Sequence, residues 1–190
     1  MGGFNVGYFV GSLATGSINR LLAKALVRLA PPELKMTEIP IRDLPLYSYD
    51  YDAAYPPVAT AFKDAIAAAD AVLFVTPEYL RSIPGALKNA IDWASRPSGT
   101  NAFARKPSAV IGASPGKIGT AVGQQHLRSI LACCNSPLMT SIEAYIQFER
   151  GLITEDGHVT NPAVEKFLGN YMAEFHGFIA RAHAVLPRNT

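Results

Sequence analysis

The sequence predicts an α/β protein with a doubly wound, five-stranded parallel sheet in the order 2-1-3-4-5, covered by helices on both faces in three α/β/α layers. Three observations predict it. Short apolar segments alternate with helical segments along the chain. The apolar segments, such as AVLFVT at Ala71–Thr76, lack polar alternation, which is typical of parallel strands buried on both faces. The length of 190 residues suits one core, so residues 1–190 are expected to form a single domain.

The first half of the chain is predicted to contain three strands and two helices. Phe4–Val10 is a short apolar run that ends at a glycine and predicts a buried strand. Ile18–Ala30 places its leucines on one helical face, with Ser17 as N-cap and two prolines after its end. The remaining predicted segments are a weak strand at Lys35–Ile39, a long loop at Arg42–Pro57, a helix at Val58–Ala69 and a strand at Ala71–Thr76.

The second half continues the same alternation. A helix is predicted to begin at Pro84, because proline suits the first turn, and to end at Ser95. It contains Trp93, whose large ring is expected to pack in the core. The other predicted elements are a strand at Ser108–Ala113, a helix at Thr120–Cys134, a strand at Glu143–Gln147 and a long helix at Asn161–Val185.

Charge and composition exclude several classes of protein. The net charge is +2 and the basic residues form no run, which argues against a nucleic-acid partner. The two cysteines, Cys133 and Cys134, are neighbours in a helical segment, so no disulfide framework is expected. Charges interrupt the apolar stretches, and the run near the N-terminus is too short for a signal peptide. A cytoplasmic protein without a membrane segment is therefore expected.

Three loops follow predicted strand ends, where ligands bind in doubly wound folds. The first, Gly11–Asn19, combines two glycines and three hydroxyl residues and opens into a helix. Amides at a helix N-terminus together with hydroxyl groups form a phosphate cradle. The loop lacks the lysine of a Walker A motif and the glycine spacing of a dinucleotide fingerprint, so a monophosphate fits it better. The alternative is an ordinary capped turn.

The second and third loops add an aromatic wall and a glycine-rich wall. In Thr76–Gly85, the ring of Tyr79 can lie against a flat ligand, and the Glu78 carboxylate either accepts N–H bonds from a ligand or caps the loop. The alternative is a solvated loop with a partly exposed tyrosine. In Ala113–Thr120, the glycines permit close backbone approach. A cradle, an aromatic wall and a glycine wall are together what flavin mononucleotide (FMN) needs.

The sequence lacks the residue patterns that metal sites and hydrolases require. The four histidines have no metal-binding spacing, no Cys–His cluster suggests zinc, and no G-x-S-x-G nucleophile motif is present.

The sequence resembles the NADPH-dependent FMN reductase family, and especially its chromate and quinone reductase branch. The matching segments are GSLATGSIN at Gly11–Asn19, PEYLRSIPGALKNAIDWASRP at Pro77–Pro97, GASPGKIGTA at Gly112–Ala121 and QQHLRSIL at Gln124–Leu131. The second segment is long and specific, and the resemblance covers most of the chain.

The resemblance implies a flavodoxin-like domain that binds FMN and takes hydride from NAD(P)H, and it implies a homodimer, with a tetramer as the alternative. It assigns the FMN phosphate to Ser12, Ser17, Ile18 and Asn19. It assigns the ring and ribityl chain to Pro77, Glu78, Tyr79 and Leu80, and the far side of the ring to Ser114, Gly116 and Gly119.

The chain departs from the family pattern twice. The family usually has arginine in the first loop where this chain has Ala14, and Asn-Tyr where it has Leu80 and Arg81. Arg20 or Arg81 is a candidate to supply the missing charge. Arg81 and Arg96 are expected to border the open face of the flavin and to bind anionic substrates, since the guanidinium fork suits phosphate and carboxylate groups.

The expected function is that of an FMN-dependent NAD(P)H:acceptor oxidoreductase. It would reduce quinones, and also chromate, ferric chelates or azo compounds, by ping-pong hydride transfer through flavin N5, with no catalytic side chain. The amides of the Gly116–Gly119 loop are expected to donate near N1 and O2 of the ring. The alternatives are a flavodoxin-like electron carrier, which the sequence pI of about 8.5 disfavours, a flavin reductase that supplies free reduced FMN, and a nucleotide- or sugar-phosphate-binding protein without redox activity.

Overall fold

The computed structural model of the protein describes residues 3–186 and confirms the predicted sheet. Five parallel strands pair in the order β2-β1-β3-β4-β5. The strands are β1 (Phe4–Val10), β2 (Leu34–Glu38), β3 (Ala71–Val75), β4 (Ser108–Ser114) and β5 (Tyr145–Gln147). The α-helices are α1 (Ile18–Leu29), α2 (Pro57–Ala67), α3 (Gly85–Ser95), α4 (Ala121–Cys133) and α5 (Pro162–Val185).

Two apolar cores lie on the two faces of the sheet. Leu22 of α1 and Phe175 of α5 pack against one face, with Leu73 of β3. Phe62 of α2 and Trp93 of α3 pack against the other, where the strand contributes its alternate side chains. All five residues of β3 are buried, because successive side chains point to opposite faces and both faces are covered. Burial on both faces therefore explains the continuous apolar run from which the sequence predicts this strand.

The predicted elements are present, most with ends shifted by one or two residues, and two further differences concern the last strand and the long loop. The last strand is three residues long, Tyr145–Gln147, and not the predicted Glu143–Gln147, because this edge strand pairs only with the last three residues of β4. The predicted loop Arg42–Pro57 contains one short 3₁₀ helix at Tyr49–Ala53. In the described range, no helix is both long and apolar enough to cross a membrane.

The long loop between β2 and α2 is attached to α3 by aromatic contacts and hydrogen bonds. The indole N–H of Trp93 donates to the Pro45 carbonyl at 2.7 Å, and the Tyr47 and Tyr55 rings stand edge-on to the indole at 5.1 and 5.0 Å. Asn89 donates to the same carbonyl and accepts the Tyr47 amide. The Trp93 ring is fully buried, so the packing role predicted for it is confirmed.

Glycine at position 112 lets two of the three loops approach each other. A Cβ atom at Gly112 would lie 2.0 Å from the Thr76 carbonyl oxygen and 2.3 Å from the Thr120 hydroxyl. Thr76 opens the loop after β3, and Thr120 caps α4. Because the backbone of β4 passes this close to both, the second and third loops emerge side by side at the carboxyl edge of the sheet.

We predict that Tyr171→Phe lowers the free energy of unfolding by about 1 kcal/mol, the usual net contribution of one hydrogen bond. The Tyr171 hydroxyl is fully buried and donates to the Val110 carbonyl at 2.9 Å, joining α5 to β4. Burial raises the pKa of this phenol, so it stays a donor throughout the neutral range. Urea denaturation measures the change, with Tyr51→Phe at a more exposed ring as control. Equal transition midpoints for the three proteins would contradict the assigned role.

Candidate functional site

The three loops enclose a cavity of about 250 Å³ at the carboxyl ends of β1, β3 and β4. Its lining includes eight of the residues predicted for cofactor binding: Ser12, Ser17, Ile18, Asn19, Pro77, Glu78, Tyr79 and Ser114. The lining also includes Gly16, Ala113 and Pro115. The other predicted residues, Leu80, Gly116, Gly119, Arg81 and Arg96, lie outside it.

The first loop presents unbonded backbone amides to this cavity. Within residues 3–186, the amides of Gly16 to Asn19 donate to no acceptor, and the Ser17 side chain makes no capping bond although it is buried. A Cβ atom at Gly16 would meet nothing within 4 Å, so the loop is open toward the cavity. Free amides at a helix N-terminus bind anions. The cradle therefore fits the phosphate of FMN.

The Asn19 side chain is engaged inside the protein. Its amide nitrogen donates to the Ala113 carbonyl at 2.9 Å, and its oxygen accepts the Ala113 amide, also at 2.9 Å. The residue is 1% exposed. Asn19 therefore joins α1 to β4, and its backbone amide is the group left for a phosphate.

The second loop is a two-residue hairpin. Tyr79 and Ser82 exchange backbone hydrogen bonds of 2.9 and 3.0 Å, and the turn residues Leu80 and Arg81 have φ values of 49° and 65°. Turns with two left-handed residues favour asparagine and glycine, so this pair is unusual. Tyr79 is 51% exposed, with its ring at the rim, whereas the Leu80 side chain is fully exposed.

Glu78 connects the second loop to α4. Its carboxylate accepts the Gly123 amide at 2.9 Å in the first turn of the helix and lies 3.5 Å from the Arg81 guanidinium. A Cβ atom at Gly123 would stand 3.0 Å from the Ser82 carbonyl oxygen, so glycine permits this contact. The carboxylate therefore caps α4 and not its own loop, and its role toward a ligand stays a prediction.

The third loop uses two of its predicted donors internally. The Gly116 amide donates to the Ser114 hydroxyl at 3.1 Å, and the Gly119 amide donates to the Gly116 carbonyl at 3.0 Å. Gly119 has a φ of 58°, and a Cβ atom there would lie 2.8 Å from the Tyr145 backbone. The amides of Lys117 and Ile118 have no acceptor within the described part of the chain, so they are the donors that a ligand could use.

The predicted arginines have partners within the chain. Arg20 binds both carboxylate oxygens of Glu38 at 3.0 Å. Arg96 pairs with Asp52 and donates to the Tyr47 hydroxyl at 3.0 Å, and these hydrogen bonds raise the pKa of its guanidinium. Arg96 therefore attaches the long loop to the end of α3. Within residues 3–186, no group of three His, Cys, Asp or Glu side chains could hold a metal ion.

Comparison with known proteins places this site in a family. Residues 4–151 match the family model described as NADPH-dependent FMN reductase. The chain is 46% identical over 170 residues to a 2-hydroxy-1,4-benzoquinone reductase of Burkholderia sp., covering 90% of this chain and 93% of that protein. It is 42% identical over 183 residues to a quinone reductase of Pseudomonas putida, covering 96% and 98%.

A solved structure resembles the protein closely. FerB, a flavoenzyme NAD(P)H:(acceptor) oxidoreductase of Paracoccus denitrificans, superposes with a TM-score of 0.91 at 43% identity. The match covers 94% of this chain and 98% of that one.

We predict that Ser17→Ala weakens FMN binding roughly tenfold, because a hydrogen bond to a charged group contributes about 1.5–3 kcal/mol and a neutral one about 0.5–1.5. Turnover at saturating FMN should stay near that of the parent, since we expect the cradle to contact the phosphate and not the ring. Fluorescence titration of flavin-free protein measures the dissociation constant, with Ser129→Ala on the exposed side of α4 as control. An unchanged dissociation constant would refute the assignment.

Proposed function

We infer the reaction from one premise: the chain belongs to the NADPH-dependent FMN reductase family, and it is an NAD(P)H-dependent oxidoreductase that uses FMN. Within that family it acts as a quinone reductase, because relatives with that name match nearly its whole length. The observation in the structure that supports this function is the open cavity, with an amide cradle at one side and the half-exposed Tyr79 ring at its rim.

The protein contributes binding and orientation, while FMN, when bound, supplies the hydride chemistry. The amides of Gly16 to Asn19 would hold the phosphate, and the Tyr79 ring would limit where a flat ring can lie. The free amides of Lys117 and Ile118 would donate hydrogen bonds toward the ring and favour negative charge there. Glu78 and Tyr79 are the titratable residues in the lining, and the Glu78 carboxylate already accepts a helix amide. No side chain is needed as a general base.

NAD(P)H and the electron acceptor would occupy the same open face of the FMN ring one after the other, in a ping-pong sequence. The second loop, the third loop and the cradle enclose one cavity, in which the donor and the acceptor would bind one after the other. Chromate, ferric chelates and azo compounds are further acceptors for such a site. Release of reduced FMN as a free product is the alternative use of the same reaction.

Family membership sets aside the electron-carrier and non-redox alternatives. We further propose the homodimer that the resemblance implies. Sedimentation at micromolar concentration tests it.

We predict parallel double-reciprocal lines when NADPH oxidation is measured at several fixed concentrations of 1,4-benzoquinone. In a ping-pong sequence the donor product leaves before the quinone binds, so the slope is independent of the second substrate. The visible bands of bound FMN should bleach anaerobically with NADPH and return on addition of quinone. Lines that meet left of the ordinate would mean a ternary complex, and bands that fail to return would exclude the quinone as acceptor.

We predict that Arg81→Ala raises the Michaelis constant for an anionic quinone, such as a naphthoquinone sulfonate, and leaves that for a neutral benzoquinone unchanged. The Arg81 guanidinium is exposed at the hairpin tip and lies 3.5 Å from Glu78, so much of it remains accessible to an anion. An exposed charge contributes up to about 1 kcal/mol, which sets an expected change of roughly threefold to fivefold. Equal changes in the Michaelis constants for both quinones would contradict the role of Arg81 in attracting anions.

For Arg96→Ala we expect a different result from Arg81→Ala, a loss of stability and no selective effect on anionic substrates. Because Arg96 pairs with Asp52, its removal should lower the unfolding midpoint and act on all substrates alike. A rise in the Michaelis constant for anions alone, at unchanged stability, would restore the substrate-binding role predicted for Arg96 from the sequence.

A further inference from the structure

The cradle for the phosphate contains no cation of its own. The loop Gly11–Asn19 has no lysine or arginine. A phosphate monoester carries about −1.5 to −2 charges at neutral pH, whereas backbone amides and a serine hydroxyl offer only partial charges. A cation from elsewhere in the fold would complete the site.

Arg20 does not provide this charge, although it lies in the first turn of α1. Both oxygens of the Glu38 carboxylate, at the end of β2, lie 3.0 Å from its guanidinium. The pair is neutral as a unit, and the guanidinium is held toward the sheet edge. Arg81 is also unsuited, because it stands at the tip of the second loop beside Glu78.

Arg42 reaches the first loop, Gly11–Asn19, from the loop after β2. The Ile39 amide donates to the Tyr8 carbonyl at 2.9 Å, which continues the pairing beyond the end of β2, and Ile39 and Ile41 are both buried. These contacts hold the backbone next to Arg42 at the carboxyl edge of the sheet. A guanidinium nitrogen of Arg42 donates to the Leu13 carbonyl, directly before Ala14 in the first loop.

The Arg42 guanidinium keeps most of its binding capacity. It has five N–H donors, and one of them is used on Leu13. Its side chain is exposed, and within residues 3–186 no carboxylate forms an ion pair with it. The bond to Leu13 holds a full positive charge at the cradle loop while leaving donors for an anion.

We propose that Arg42 binds the phosphate of FMN and supplies from the β2–α2 loop the positive charge that the first loop lacks. The proposal rests on FMN as the cofactor and is independent of the acceptor. The 2′-phosphate of NADPH offers the same chemistry. The contact with the cradle loop favours the flavin phosphate, and the experiment separates the two sources.

The test compares FMN with riboflavin, which lacks the phosphate. Flavin-free full-length protein is titrated with each, following quenching of flavin fluorescence. Arg42→Gln should raise the dissociation constant for FMN roughly tenfold and leave that for riboflavin unchanged, because charge-assisted hydrogen bonds are about twice as strong as neutral ones. Arg42→Lys should lose less, since it keeps the charge. Added salt should weaken FMN binding more in the parent than in Arg42→Gln.

Arg28→Gln is the matched control, because Arg28 is an exposed arginine in the last turn of α1, at the end away from the cradle. It removes the same charge and should leave both dissociation constants unchanged.

Three results would overturn the proposal. An unchanged constant for FMN in Arg42→Gln is one, and equal weakening of FMN and riboflavin is another. The third is a raised Michaelis constant for NADPH but not NADH, with FMN binding unchanged, which would assign Arg42 to the donor.

Discussion

The paired hydrogen bonds between the Asn19 side chain and the Ala113 backbone are the constraint on which the site depends. They satisfy both polar groups of a residue near the end of β4, in a buried environment where such bonds are strong and a missing partner is costly. They also fix the start of α1 relative to β4, which sets the distance between the phosphate cradle and the glycine-rich wall. The binding geometry is therefore secured by the core.

Around this constraint the site is assembled mainly from backbone. Gly112 lets β4 pass close to Thr76 and Thr120, and Gly123 lets the hairpin approach α4 closely enough for the Glu78 cap. Amides of the first and third loops remain for the ligand. A site whose donors are peptide groups can hold a cofactor firmly without using reactive side chains, which agrees with a reaction in which the cofactor carries the chemistry.

The sequence predicts what depends on local pattern and misses what depends on distant contacts. Continuous apolar runs predict β3 and the parallel sheet, because burial on both faces leaves no alternation. The sequence overestimates the length of β5, because pairing with β4 determines where this strand begins and ends. The sequence identifies the first loop by its glycine and hydroxyl residues, the second by Glu78 and Tyr79, and the third by its glycines. It does not identify the partners of Glu78, Arg96 and Arg42, because each contact joins residues that are 29 to 45 positions apart.

The turn formed by Leu80 and Arg81 sets the stability of the hairpin against the side chains that it presents at the rim of the cavity. Two non-glycine residues in left-handed conformation cost on the order of 1 kcal/mol each, and the exposed leucine recovers nothing from burial. An engineer who sought thermal stability would exchange the pair for Asn-Gly. That exchange would also remove one apolar and one cationic side chain from the rim of the cavity. A more stable turn would therefore present a different surface to an incoming substrate.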